Sequence, residues 1–555
     1  MRHISKYIFP LFMLLLIIGG CDDQEFLTNE QQVSVGSTGK WTEMQDLENL
    51  LIGAYWMTSG EVYGDNQQVY GRLAREMPTD IPVVFNDAGG GYYWGSSDDE
   101  VFYYRNPDNP NNGALKDIWQ SCYYVIGNCN NGINFIEKGD KLDDPNNWYP
   151  RLEGEFRFLR AYNYYILAKT FAPPYTENNR SEQAIPVRKT PAKGFNDASL
   201  SRGTVEELYG LMVNDLERAV EVLPETPEDG GNHPDQYNYS RVTKSGAEFL
   251  LARIYFQMRQ WGKAKDLATS VIEDSKFDLS EDPIEAWNKD TYTRPSEVIW
   301  YYQWVAGDGV GHGSNWKFPK AWNVWNATQA SWGNTGTLQN TQKYIACSYS
   351  FLDKVDWINA DTSETANALN DLRYLQLYYR FEAVGDTTKP RSAYVDSIPI
   401  HGGSDTIVHH VAPDTVLGLD RPTVWGNKYI RSEGHPPTTN VPLLRLPEMY
   451  LTRAIISFLG ENGASQDVGQ ALADVNAVRT RAGLDPLDQS ELTAEVIHEE
   501  RMKELAFEGD RLPYLQTLRM NIPGGDREDG GIEWNSDKLV FPIPTNETDY
   551  SNAIN

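Results

Sequence analysis

Six of the sixteen tryptophans in this 555-residue chain fall between positions 300 and 332: Trp300, Trp304, Trp316, Trp322, Trp325 and Trp332. The first two lie in or beside EVIWYYQW, a strand-like run in which an indole is ordinary core. The other four sit in GHGSNWKFPKAWNVWNATQASWGN, among Gly, Ser, Asn and Lys, with neither helix nor strand spacing. Flat rings on polar loops suit sugar binding. A pyranose face presents C–H groups that pack on an aromatic plane, while its rim hydroxyls need polar side chains or backbone as partners. Covering one such face with a whole ring is worth about 2 kcal/mol by buried area. A second stretch, DAGGGYYWGSSDD at 87–99, has the same make-up, with three glycines ahead of Tyr92, Tyr93 and Trp94. An ordinary solvent loop would share that composition.

Carboxylates offer less. Glu500, Glu504 and Glu508 recur every four residues, with Arg501 and Arg511 beside them, on a helix predicted over 492–511. That spacing sets neighbouring Cβ atoms about 6 Å apart on one face. A glycosidase instead needs two carboxyls opposed across a cleft, about 5–5.5 or 6.5–9.5 Å apart. The expectation for this set is therefore an ion-pair ladder on a helix surface, and no catalytic residue is assigned. His498-Glu499-Glu500 lacks the second histidine of a zinc-protease helix. Neither a nucleophile elbow nor a P-loop is present. DKVDWINADTSE at 353–364 has acidic spacing like a calcium loop but no central glycine, and His409 and His410 adjoin without a ligand set. The reading is a non-enzyme with no metal and no cofactor.

The net charge of −29 argues against nucleic acid, whose binding needs Lys and Arg to neutralise phosphates, and against lying flat on anionic lipid. Residues 1–20 read as a secretory signal: Arg2 and Lys6, an apolar run from Tyr7 to Ile18, then Gly19 and Gly20. The apolar run is shorter than the roughly 20 residues of a membrane span. Ile18-Gly19-Gly20-Cys21 resembles the bacterial lipobox, whose cysteine is acylated and becomes the new N-terminus. A plain signal peptide with a chance cysteine is the alternative. Stable anchoring takes more than one acyl chain. Cys122 and Cys129, seven apart on a predicted helix, would lie about 10.5 Å apart, too far for a disulfide.

Helical signals position the rest. After a polar tether at 21–40, amphipathic helices are expected at 119–139 and, more strongly, at 152–171, where Pro173 and Pro174 stop the chain. Thr204-x-x-Glu207 is a capping box. Residues 243–274 read as two helices joined by a turn near Arg259 and Gln260, resembling a tetratricopeptide repeat. Further helices follow at 447–480 and 492–511. The expected organisation is a helical region at 41–279, an irregular aromatic-rich insertion at 280–445 and a C-terminal helical region at 446–555. The fold class is all-α, a tetratricopeptide-like helical superstructure whose insertion carries short β-hairpins such as Val298–Gln303 and Thr406–Val411.

Several stretches, in order, resemble the SusD/RagB family of outer-membrane nutrient-binding lipoproteins. GEFRFLRA matches its GE-x-x-FLRA helix, and VNDLERAVEVLP its DL-x-x-A segment. VPLLRLPEMYLTRA, VNAVRTRAGLDPL, HEERMKELAFEGDR and FPIPTNE match its LR-x-x-E-x-YL, N-x-x-R-x-RAGL, ER-x-x-EL-x-x-EG-x-R and IP-x-x-E runs. Pro447, Ile455 and FAPPY depart from the usual residues at scaffold positions. The resemblance implies a surface-exposed lipoprotein, anchored in the outer membrane and facing the cell exterior. It implies capture of oligosaccharide, or in some members peptide, for a TonB-dependent SusC-like transporter. A protein-binding helical scaffold is the rival reading. By chain position it nominates Trp94 with Tyr92 and Tyr93, and Trp316, Trp322, Trp325 and Trp332, for the ligand. Arg75, Asp80 and Asn323 are nominated as polar partners, and the RAGL and EGDR segments as scaffold. Asp22, Asp23 and Glu25 resemble the acidic address that follows the lipid cysteine in surface-displayed lipoproteins; chance acidity is the rival. Cys21→Ala is expected to abolish incorporation of a labelled fatty acid and to move the protein out of the membrane fraction.

Overall fold

The computed structural model describes residues 41–59, 67–84, 100–138, 142–192, 201–230, 240–287, 294–302, 345–382, 394–399, 406–413, 422–426, 428 and 441–545. Helices α1 (Met44–Ser59), α2 (Gln67–Glu76), the short α3 (Glu100–Tyr103), α4 (Gly113–Lys138), α5 (Tyr149–Phe171), α6 (Val205–Val222), α7 (Lys244–Gln257) and α8 (Trp261–Ile272) form the first part, with strand β1 (Pro82–Val84) between α2 and α3. The middle holds β2 (Val298–Tyr302), β3 (Ile345–Cys347), α9 (Tyr349–Lys354), α10 (Ala366–Asn370), α11 (Leu372–Leu377), β4 (Tyr378–Glu382), β5 (Tyr394–Pro399), β6 (Thr406–Pro413), β7 (Thr423–Gly426) and β8 (Val441–Arg445). Helices α12 (Leu446–Leu459), α13 (Val468–Arg481), α14 (Ala494–Leu505) and α15 (Arg511–Leu518) follow.

Local signals set most helix ends. The Thr204 hydroxyl accepts from Glu207 N and the Glu207 carboxylate accepts from Thr204 N, so the capping box is present in full. The α7–α8 turn passes through Arg259 at φ 56°, as the repeat-like reading expects. Helix α5 differs from expectation. It is buried around nearly its whole circumference rather than along one stripe, because α1, α4 and α6 all pack on it. Most of its charged residues are therefore paired, while Lys169 lies over the Tyr209 ring. Arg151 and Arg241 close a ring with Glu48 and Glu155 at 2.6–3.1 Å, and Arg160 grips Asp215 at 2.6 Å.

Helices α4, α5, α6, α7 and α8 each pack on the next, and α8 then packs on α12, which packs on α13. Neighbours in this stack are thus supplied from both sides of the middle of the chain. Residues between α8 and α12 leave the stack and return to it, and β2 pairs antiparallel with β8 where they do so. Trp300 is core as expected: its ring meets Phe158 and Tyr162 edge-on, and its Nε1 donates to Ser240 O. The middle is more ordered than isolated hairpins, because β5, β6, β4 and β7 form a four-stranded sheet. The β5–β6 pair is antiparallel, and β4 joins β6 in parallel. Cys122, Cys129 and Cys347 are buried and free. No helix among the described residues is long and apolar enough to cross a membrane.

Gly132 lets α4 and α5 approach: a Cβ there would stand 2.5–2.7 Å from the buried Phe156 ring. Helix propensity alone favours alanine over glycine by about 1 kcal/mol. Gly132→Ala is nevertheless expected to destabilise the protein by about 1–3 kcal/mol through overpacking, read as a lower urea midpoint at unchanged m-value.

Candidate functional site

The two aromatic stretches are joined at their roots. Strand β1 pairs antiparallel with β3, and the register sets Val84 opposite Ile345. Residue 84 is where the chain enters 85–99, and residue 345 is where it leaves 303–344. Cross-strand partners lie about 4.5–5.5 Å apart at Cα, so one end of each stretch rises from the same ladder. Tyr92, Tyr93, Trp94, Trp316, Trp322, Asn323, Trp325 and Trp332 themselves lie outside the described residues, as do Trp304 and Cys21.

The ladder's footing, residues 77–81, is clamped by three arginines from distant sequence. Arg511 meets the Asp80 carboxylate with Nε and Nη2, both at 2.9 Å. Arg105 donates twice to Pro78 O and once to Gly530 O at 2.9–3.0 Å. Arg527 donates to the carbonyls of Met77 and Thr79 and lies over the Tyr103 ring at 4.2 Å. Ser348, just after β3, donates its amide to Ile81 O at 2.8 Å and its hydroxyl to Asp80 O. Arg105 and Arg527 carried no sequence signal, since each grips backbone carbonyls far along the chain.

Arg75 and Asp80, nominated as polar partners for a ligand, are put to other use here. Both are buried, at 5% and 1% exposure, and Asp80 gives both carboxylate oxygens to Arg511. Arg75 Nε donates to Gly509 O at 3.1 Å, and its guanidinium lies 5.3 Å from the Tyr165 ring centroid. They support the footing of the site.

The carboxylate ladder expected on a helix surface is also corrected. Helix α14 stops at Leu505, and Phe507 and Gly509 take φ values of 65° and 75°. Their amides, released from helical bonding, donate to the two Glu76 carboxylate oxygens at 2.8 and 3.0 Å. Glu500 and Glu504 are buried, not exposed, and Glu508 lies beyond the helix. Arg373 binds Glu500 at 2.7 Å, Arg481 binds Glu504 at 2.6 Å, and Arg445 binds Glu297 at 2.6 Å and Glu504 at 3.0 Å. Lys428 binds Glu508 at 2.8 Å. Burial opposes the charge of Glu504, yet Arg481, Arg445 and Arg373 outweigh it and hold that carboxyl well below the usual range. Carboxylates locked this way cannot work as a general acid and a nucleophile, which need one of the pair protonated near neutral pH and both open to substrate. His498, also buried, shares a 2.7 Å hydrogen bond with the Tyr514 hydroxyl and is held neutral, its pKa lowered by burial to about 4.

The described residues thus combine a stacked helical array with short ladders at the points where the chain leaves the stack and returns to it. Two family profiles match the chain: one described as "Starch-binding associating with outer membrane" over residues 47–256, and the SusD family over residues 296–515. The chain belongs to the SusD/RagB family. It is 24% identical over 393 residues to the starch-binding protein SusD of Bacteroides thetaiotaomicron; the match covers 67% of this chain and spans 64% of that relative's length. A SusD superfamily protein of known structure from the same species superimposes with a TM-score of 0.67 at 22% identity, covering 93% of this chain and 99% of that one. Surface glycan-binding protein A from Bacteroides uniformis gives a TM-score of 0.64 at 18% identity, covering 92% and 98%.

Burial pushes the Glu76 carboxyl up to about 8, against the amide donors that favour its charged form. The folded chain therefore keeps a proton that the unfolded chain sheds near pH ~4.3. This group's contribution to stability then falls as pH rises from about 4.3 to about 8. Glu76→Gln removes that slope. The melting temperature of the variant minus that of the wild type is expected to climb between about pH 5 and about pH 8; a Glu76 ionised in the fold would leave the difference flat.

Proposed function

We propose that this protein is a non-catalytic lipoprotein of the outer membrane, anchored through Cys21 and facing the cell exterior. It binds oligosaccharides with Tyr92, Tyr93 and Trp94 from one stretch and Trp316, Trp322, Asn323, Trp325 and Trp332 from the other. It then delivers them to a TonB-dependent SusC-like transporter. The observation that carries the binding site is the Val84–Ile345 pair, which roots both aromatic stretches in one ladder. Glycan as the ligand class is supported by the aromatic and polar composition of the two stretches and by the names of relatives: a starch-binding protein at 24% identity and a surface glycan-binding protein with the same fold. The anchor rests on the lipobox at 18–21, and delivery to a transporter on family membership. Binding without turnover is supported by the pairing of Glu500, Glu504 and Glu508 to buried cations.

Calorimetric titration of the mature protein with a glycan panel and a peptide panel tests this reading. At least one oligosaccharide is expected to bind without release of new reducing ends. Trp94→Ala and Trp325→Ala are each expected to weaken it at least about tenfold, because each removes a ring whose stacking is worth about 2 kcal/mol, and about 1.4 kcal/mol is already tenfold. A bound glycan indifferent to both substitutions would move the site elsewhere, and binding of peptides alone would change the ligand class.

A further inference from the structure

Helices α2, α5, α7 and α12, strand β8 and the turn after α14 line a void of about 20 Å³, room for a single particle the size of a water. Among the described residues, four guanidiniums line it, those of Arg72, Arg75, Arg253 and Arg445, against three carboxylates. Each carboxylate already has a cation of its own. Glu448 is bound by Arg253 at 2.6 Å, Glu508 by Arg445 and Lys428, and Asp510 by Arg501 at 2.7 Å. Arg72 donates to Pro442 O. Among the described residues Arg75 makes no ion pair, its Nε is taken by Gly509 O, and its Nη1 is a buried donor with no hydrogen-bond partner. Burial is the largest influence against the Arg75 charge; Tyr165 and Tyr162 oppose it, and the neighbouring charges of Arg253 and Arg72 add to it to a smaller extent. An isolated cation in a low-dielectric interior is costly unless it is paired.

We propose that this void is a halide site, in which one chloride ion sits against Arg75 Nη1 and the Tyr165 hydroxyl. The void is too small for sulfate, phosphate or a carboxylate, and a monoatomic anion supplies the charge that a water would not. The Tyr165 hydroxyl accepts from Gln257 at 3.5 Å, which leaves its own proton to donate. A chloride there would tie α2 to the turn at 507–509 from below, while Glu76 ties the same two segments through Phe507 and Gly509.

The test uses bromide as the probe. A wild-type crystal soaked in sodium bromide is expected to show an anomalous peak within hydrogen-bond distance of Arg75 Nη1. In parallel, the melting temperature is followed from gluconate to chloride at constant ionic strength. It is expected to rise by about 2–3 °C at a hundredfold excess over Kd and to go on rising with the logarithm of chloride concentration. Arg75→Gln is expected to abolish that rise. No bromide at this position, meaning a water only, overturns the proposal. So does a chloride dependence equal in Arg75→Gln and wild type. If the variant fails to fold, the anomalous map of the wild type decides alone.

Discussion

The molecule depends on one buried knot of opposite charges around Glu504. Its carboxylate meets Arg481 from α13 and Arg445 from the end of β8, and its neighbour Arg373 comes from the start of α11. Arg445 in turn holds Glu297, one residue before β2. The chain therefore leaves the helical stack and returns to it at the same cluster of charges. Each of these ions costs several kcal/mol to desolvate, and removing a single partner from such a pair costs about 3–5 kcal/mol. That asymmetry makes the knot a register device: a slipped β2–β8 ladder or a misplaced α14 would strand a charge in the interior. Similar hydrophobic surfaces could be packed in several ways, but this pairing is met in one.

The same principle acts by a second route at the β1–β3 ladder. Residues 77–81 lead into β1 and hence to one root of the aromatic stretches, and they bury Met77 and Ile81 in the core. They are held by Arg105, Arg511 and Arg527, whose forks satisfy the carbonyls and carboxylate of a turn that no regular ladder would satisfy. Asp526 completes the arrangement by accepting from the amides of Tyr349 and Ser350 at the start of α9, just past β3. The C-terminal loop thus holds both strands of the β1–β3 ladder, one by arginine and the other by aspartate.

Features written in local chemistry were legible in the sequence. The Thr204 capping box, the turn at 259–260, the prolines after α5 and the strand around Trp300 each lie within a few residues of what causes them. Features caused by distant partners were not. Glu508 stands at perfect helical spacing after Glu504, yet the helix breaks before it because Glu76, more than 400 residues away, claims the amides of Phe507 and Gly509. Periodicity likewise took α5 for an amphipathic helix, since Arg151, Glu155 and Arg160 look solvent-facing until Glu48, Arg241 and Asp215 are brought to them. Arg75 and Asp80 were nominated as ligand groups by chain position alone, with no signal of the buried partners that hold them. A charged residue near an aromatic loop looks free when its partner, Gly509 or Arg511, is far along the chain.

The stretches that carry the family resemblance and those that carry the aromatic residues divide the labour. Glu155 and Arg160, Asp215, Arg445 and Glu448, Arg481, and the run from Glu500 to Arg511 are nearly all members of buried ion pairs. None of these motifs falls in 85–99 or 303–344. Ion pairs of this kind resist change, because a substitution on one side leaves an unpaired charge on the other. The two aromatic stretches lie outside these motifs, so a substitution within them leaves every one of these buried pairs with both its partners. The residues that fix the described scaffold are thus distinct in sequence from the rings nominated for a ligand.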